Sequence, residues 1–227
     1  WLLPVAEKLA QRGAKLLVGV PVLDPDGKRY YNGAVLIGKP HRAYYKRHLV
    51  PFGEFLPFKN WLSPMLDFLH IPMSDFAPGS AGSSNIKIKD HMVGISICYE
   101  DAFGEEIRTA LPTARYLINL SNDAWFGDSL APHQHLEIAR MRALETGRPL
   151  VRSTNSGISA LIGPKGELQN TTTLFAKTAL TGTIQPMRGI TPFVHWGNLV
   201  IVILMIFGLL MGILNTKSKR RYALNHS

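Results

Sequence analysis

Apolar residues recur along the chain with two alternating periods. Val5, Ala6, Leu9, Ala10 and Ala14 fall on one side of a helix, which predicts a surface helix over Val5–Lys15 that Gly13 interrupts near its end. Glu7 on that helix reads as a solvated charge. Leu16–Leu23 and Tyr30–Ile37 are apolar runs separated by the turn residues Pro25, Asp26 and Gly27, so a strand pair of hairpin type is expected. His41–Pro57 then mixes aromatic, basic and acidic residues with Pro and Gly, and predicts a loop. Phe58–His70 carries Trp61, Met65, Leu66, Phe68 and Leu69, the pattern of a short surface-lying segment able to contact lipid.

Beyond the connector Pro78–Ser84 the pattern is again one of short apolar runs and helical stretches. Strands are predicted at Asn85–Lys89, Met92–Cys98, Arg115–Leu120, and as a pair at Leu150–Asn155 and Ile158–Ile162, with a β-prone stretch over Thr171–Ile184. Helices are predicted at Phe103–Leu111, with Glu105 and Glu106 favourably placed in its first turn, and at His133–Gly147. Alternation of this kind implies a layered α/β domain with sheets inside and helices outside.

Phe193–Leu214 differs from everything before it, having no Asp, Glu, Lys or Arg. Roughly 22 helical residues rise about 33 Å, the thickness of a bilayer core, so a transmembrane helix is expected over 193–214. His195 and Trp196 sit at one end like an interfacial belt, and Lys217, Lys219, Arg220 and Arg221 follow the other. The basic tail 215–227 is then cytoplasmic, and the domain over 1–192 lies on the outer, periplasmic side of a bacterial inner membrane.

Composition changes this picture in two respects. The net charge of +9 would suit nucleic acid or an anionic surface, but four of those charges lie just after the apolar segment and the rest show no basic-aromatic groove. Membrane lipid is therefore the expected partner, and nucleic acid is not. The single cysteine excludes an internal disulfide and a Cys-rich zinc site. His133 and His135 lack partners at metal-ligand spacing and read as capping or surface residues; no cofactor is called for. A start at Trp1 rather than Met suggests a piece of a longer protein.

Candidate chemistry centres on Cys98. The apolar run Met92–Ile97 ends at its sulfur because Tyr99, Glu100 and Asp101 are polar, which puts the thiol at a strand-to-loop edge where α/β sheets commonly place ligands. A lone thiol also packs as a small hydrophobe, and Lys46 and Glu54 taken singly read as surface charges. Together with Ser121-Asn122-Asp123-Ala124-Trp125-Phe126-Gly127 after the next strand, Cys98 and Lys46 resemble the carbon-nitrogen hydrolase (nitrilase) superfamily. Tyr44–Glu54, Ile97–Glu100, Asn119–Gly127, Arg140–Glu145 and Arg152–Gly157 are similar, more narrowly, to its apolipoprotein N-acyltransferase branch.

The resemblance implies an αββα sandwich followed by one transmembrane helix, acting as a monomer. It implies an acyl chain passing from a phospholipid donor to a cysteine thioester and then to the α-amino group of a diacylglyceryl-modified apolipoprotein. By the same resemblance Cys98 is the nucleophile and Lys46 the lysine of a Glu-Lys-Cys triad, with Glu54, Tyr99 and Glu100 as active-site supports. The triad glutamate and further membrane helices would lie upstream of Trp1, and Glu7 does not take the glutamate's place. A membrane-anchored amidase acting on small amides is the alternative enzyme, and a tethered scaffold the non-enzymatic one.

Overall fold

In the computed structural model residues 2–38, 40, 42–55, 76–80, 82 and 84–225 are described, with side chains as far as Asn215. Helix α1 (Leu2–Gln11) leads into a three-stranded antiparallel sheet of β1 (Leu16–Leu23), β2 (Tyr30–Ile37) and β3 (Arg42–Tyr45). The expected hairpin is in full register, with Leu16 opposite Ile37 and Leu23 opposite Tyr30. Strand β3 is a departure, because it falls inside the predicted loop. Its four residues Arg-Ala-Tyr-Tyr extend along β2 with Tyr44 buried and Arg42 exposed, a half-buried edge that suits aromatic side chains.

The second sheet has six strands in sequence order: β4 (Asn85–Ile88), β5 (His91–Ile97), β6 (Tyr116–Ser121), β7 (Leu150–Thr154), β8 (Ala160–Ile162) and β9 (Leu168–Thr171). β5, β6 and β7 run parallel, and the outer pairs are antiparallel. Parallel neighbours need crossovers, supplied here by α2 (Gly104–Arg108) and α3 (Ala131–Thr146). The carboxyl ends of β5, β6 and β7 therefore share one edge, and the segments leaving that edge begin with Cys98, Asn122 and Asn155. The β-prone stretch Thr171–Ile184 forms strand only as far as Thr171.

Two apolar layers hold these parts together. Ala34, Leu36 and Tyr44 of the small sheet pack on Ile86, Val93, Ile95 and Ile97 of the large one. On the other face of the large sheet, Leu117, Leu150, Ala160 and Ile162 pack on Ile107, Leu136, Ala139 and Ala143 of α2 and α3. Helix α1 covers the outside of the small sheet through Ala6. The layers are α, β, β, α, as expected.

The carboxyl-terminal helix is not the single element predicted from Phe193. Thr191 caps a short helix α4 (Pro192–Trp196), its Oγ1 accepting from the Val194 N–H at 3.2 Å, and Val194 is buried on the domain. Gly197 then adopts φ +57°, which favours glycine, and the Asn198 N–H donates to Glu105 Oε1 at 2.7 Å. Only after this break does α5 (Leu199–Asn225) begin. Every described side chain of α5, residues 199–215, is exposed. Among the described residues no helix is long and apolar enough to cross a membrane. The predicted lipid-facing segment Phe58–His70 lies outside the described residues.

Candidate active site

Strand β5 stops at Ile97, and Cys98 opens a tight 3₁₀ turn over Cys98–Ala102 with φ +53°. A left-handed backbone at a non-glycine residue costs on the order of 1–3 kcal/mol and persists only where its surroundings enforce it. Those surroundings are visible. The Cys98 carbonyl accepts from Asn119 Nδ2 and from His135 Nε2, each at 3.2 Å, and the Ile97 N–H donates to Glu100 Oε2 at 2.8 Å. The elbow turns the thiol, which is partly exposed, into a cavity of about 1030 Å³ at the carboxyl edge of the large sheet. Apolar side chains such as Val50, Ile97 and Leu120 contribute to its lining, and Trp125, 78 % exposed, stands at its rim with Phe126.

Lys46 and Glu54 meet beneath this cavity. Lys46 is fully buried, and its Nζ donates to Glu54 Oε2 at 2.7 Å. Glu54 also accepts from the Val50 N–H and from Asn32 Nδ2, both at 2.8 Å, and lines the cavity together with Cys98. Tyr99 lines it too, half-exposed, with its ring perpendicular to Phe103. Glu100 is placed elsewhere: it is buried and accepts from the Tyr44 hydroxyl at 2.8 Å and the Arg47 and His48 N–H groups at 2.7 and 3.2 Å. Burial holds the Glu100 carboxyl above its usual range despite these donors, and raises the Tyr44 hydroxyl as well. Glu100 thus straps the segment carrying Lys46 to the elbow carrying Cys98. Glu7 is exposed on α1, as expected of a solvated charge.

Behind the elbow lies a buried charged cluster that sequence reasoning missed. His135, read from the sequence as a capping or surface residue, is buried. Its Nδ1 lies 3.2 Å from Asp123 Oδ1, and its Nε2 lies 3.0 Å from Asp101 Oδ1. Arg152 joins the same two carboxylates from the far side, donating to Asp101 Oδ2 at 3.3 Å, Asp123 Oδ2 at 2.9 Å and Asn119 Oδ1 at 2.7 Å. One signal could have found His135. It lies on the helical stripe of Leu136, Ala139 and Ala143, the face of α3 that turns inward.

Burial alone would push the imidazole down, but the hydrogen bonds to Asp101 and Asp123 more than reverse this and raise it to about 9. Burial raises Asp123, yet the His135 and Ser121 hydrogen bonds and the Arg152 charge bring it to about 2. Cys98, Asp123 and His135 also bring one potential metal donor each within 4.8 Å of one another. Both imidazole nitrogens already face carboxylates and Asp123 already faces a guanidinium. The set is committed to ion pairs, and a cation there would meet two positive charges.

Residues 4–190 match the carbon-nitrogen hydrolase family. The chain belongs to that family. It is 48 % identical over 198 residues to the apolipoprotein N-acyltransferase of Methylococcus capsulatus, covering 87 % of this chain and 39 % of that protein. It is 42 % identical over 225 residues to the protein of the same name from Nitrosomonas europaea, covering 99 % of this chain and 45 % of that one. The carbon-nitrogen hydrolase chain thus spans less than half the length of these curated relatives. Saccharomyces cerevisiae Nit3, a nitrilase superfamily member, has the same fold at 18 % identity, with a TM-score of 0.56 over 76 % of this chain and 60 % of that one.

For this carbon-nitrogen hydrolase the charged cluster sets a pH dependence of stability. His135 keeps its proton to about 9 when folded against 6.5 ordinarily, so its contribution is complete below pH 6.5 and lost as pH rises through 9. That difference corresponds to about 3 kcal/mol. Asp123 acts at the other end, its contribution present above about 3.8 and lost as pH falls through about 2. Glu145, raised to about 7 by burial and by Glu105 despite Arg142, makes stability fall as pH rises from about 4.5 to 7, a loss complete above 7. The melting temperature is therefore expected to fall between pH 7 and 9, and the His135→Gln variant to lose that fall. A melting temperature flat from pH 7 to 9 in the parent would show that His135 is not charged in the folded state.

Proposed function

We propose that this chain is the catalytic part of an apolipoprotein N-acyltransferase. In the first step the Cys98 thiolate attacks the ester carbonyl of a phospholipid; a C–S bond forms, the ester C–O bond breaks, and the lysophospholipid alkoxide leaves as an alcohol after taking a proton. In the second, the α-amino group of a diacylglyceryl-cysteine attacks the thioester; a C–N bond forms, the C–S bond breaks, and the thiol is regenerated. Splitting the transfer in two is what covalent catalysis achieves. Lys46 stabilises the tetrahedral oxyanion, with the Tyr99 N–H as second donor. Glu54 fixes the lysine, and Glu100 holds the two segments in register. Proton removal from the thiol belongs to a glutamate upstream of Trp1, as the family resemblance implies.

The observation that carries this reading is the thiol of Cys98 at a left-handed elbow, opening on the same cavity as Glu54, the carboxylate that pairs with buried Lys46. Its similarity to proteins named apolipoprotein N-acyltransferase supports the acceptor class. The apolar helix supports a lipid setting. From Leu199 to Leu214 it presents only apolar residues, all of them exposed. Residues 199–214 rise about 24 Å, and the helix continues beyond them toward the roughly 30 Å of a bilayer core. We read this helix as the membrane segment, residues 1–192 as the periplasmic catalytic domain and the basic residues after Asn215 as cytoplasmic.

Intact protein incubated with phospholipid is expected to gain one fatty acyl group on the peptide carrying Cys98, seen by mass spectrometry, and to lose it when a diacylglyceryl peptide is added. A Cys98 peptide that stays unmodified would overturn the reading. Lipid-independent turnover of a water-soluble amide would favour the amidase instead.

A further inference from the structure

The catalytic reading uses Cys98, Lys46 and Glu54 and leaves unexplained why two acids, an arginine and a histidine are buried against the back of the elbow. A neutral imidazole has one N–H and can satisfy only one carboxylate as donor. The ring of His135 faces a carboxylate at each nitrogen, Asp123 at Nδ1 and Asp101 at Nε2, which calls for a proton on both. This ring is therefore a fixed cation, unable to accept a further proton, and it is not the base of the reaction.

Its neighbours give that charge a purpose. An Asp123 oxygen, a His135 nitrogen and the Cys98 sulfur all lie within 4.8 Å of one another, so the sulfur has an anion and a cation as near neighbours. An uncompensated carboxylate at that distance opposes formation of a thiolate, whereas a cation favours it. Arg152 engages the far oxygen of Asp123, while His135 faces the same Oδ1 to which Ser121 donates. The ring also donates through Nε2 to the Cys98 carbonyl, one of two donors on the left-handed residue.

We propose that His135 is a positioning residue for Cys98: its charged ring fixes the elbow through the Cys98 carbonyl and offsets the Asp123 carboxylate beside the sulfur, so that the thiolate forms. The proposal rests on the reading of Cys98 as nucleophile. The charged groups facing the ring are Asp101 from the turn after β5, Asp123 from the segment after β6, and Arg152 from β7 behind both acids. The Phe126 ring stands perpendicular to the imidazole, and Glu54, paired with Lys46, lines the same cavity as His135. With His135 removed, two buried carboxylates face one guanidinium and the sulfur lies beside net negative charge.

The test is alkylation of the intact protein in detergent with iodoacetamide, following the Cys98 peptide by mass spectrometry across pH. His135→Gln is expected to slow Cys98 alkylation at pH 7 about tenfold or more, with the deficit closing as pH rises. Asp123→Asn removes the opposing charge and is expected to leave the rate at or above that of the parent. A purely structural histidine would lower the melting temperature of His135→Gln while leaving the folded protein's rate and pH profile unchanged, and that result overturns the proposal. Should His135→Gln fail to fold, slower alkylation of Asp123→Asn than of the parent overturns it as well. Iodoacetamide requires only a thiolate, so the outcome stands whether or not Cys98 accepts an acyl chain in the lipid assay.

Discussion

Replacing Lys46 by alanine is expected to reduce acyl transfer at least 10²–10³-fold, the usual consequence of removing one oxyanion donor. The ammonium has no solvent exposure and, among the described residues, a single carboxylate partner, so its charge is not dissipated into water. Glu54 keeps its hydrogen bonds from Val50 and Asn32 and faces the cavity, where water can reach it. The variant should therefore fold. Acyl-adduct formation measured beside the melting temperature checks both halves, and an unchanged rate in a folded variant would remove Lys46 from the site. Lys46→Arg is not expected to rescue transfer, because a planar fork cannot occupy a space shaped for a compact ammonium.

The second large effect is on stability. Arg152 is entirely buried and donates to Asp101, Asn119 and Asp123, so Arg152→Ala leaves two buried carboxylates balanced by His135 alone. Breaking a buried ion pair from one side costs about 3–5 kcal/mol, and the vacated guanidinium adds a cavity. Total stabilities of folded domains are only about 5–15 kcal/mol. A fall in melting temperature of about 10 °C or more is expected, read by tryptophan fluorescence in detergent. A shift of only a degree or two would mean that the two acids find other compensation or are protonated. Among the described residues the Arg152 Nε has no hydrogen-bond partner, so this arginine is held through its charge and its two terminal nitrogens.

The two variants act on opposite sides of one elbow. Lys46 reaches the site from the small sheet, and Arg152 supports it from the large one, with Glu100 strapping the segment after β3 to the turn after β5. This division explains why the reacting residues are few and the buried polar residues behind them many. A left-handed residue at the end of a strand is stable only while its carbonyl and its neighbours remain held.

Most of the layered fold was legible in the residue pattern. Runs such as Leu16–Leu23 and Met92–Ile97 are apolar and short, as strands are, the first half-exposed in the small sheet and the second buried in the large one, and their spacing with α3 gave the alternation of sheets and helices. Short, mixed elements were not legible. Strand β3 hid among Pro and Gly because four residues carry too little pattern, and the turn pair Gly197-Asn198 that marks the helix break is outweighed by the apolar residues around it.

The sequence by itself determined that a lone thiol ends an apolar strand, that a lysine and a glutamate precede it in a loop, and that an uncharged stretch follows the domain. Local chemistry suffices for this, since composition and period act over a few residues. Only the tertiary structure decided that Lys46 is buried on Glu54, that Cys98 is left-handed, and that His135 is a charged residue behind it rather than a surface one. Each of these depends on partners far along the chain, Asp101 and Asp123 for His135 and Tyr44 and Arg47 for Glu100. A side chain's charge state inside a protein is set by what folding brings against it, and no stretch of sequence contains that.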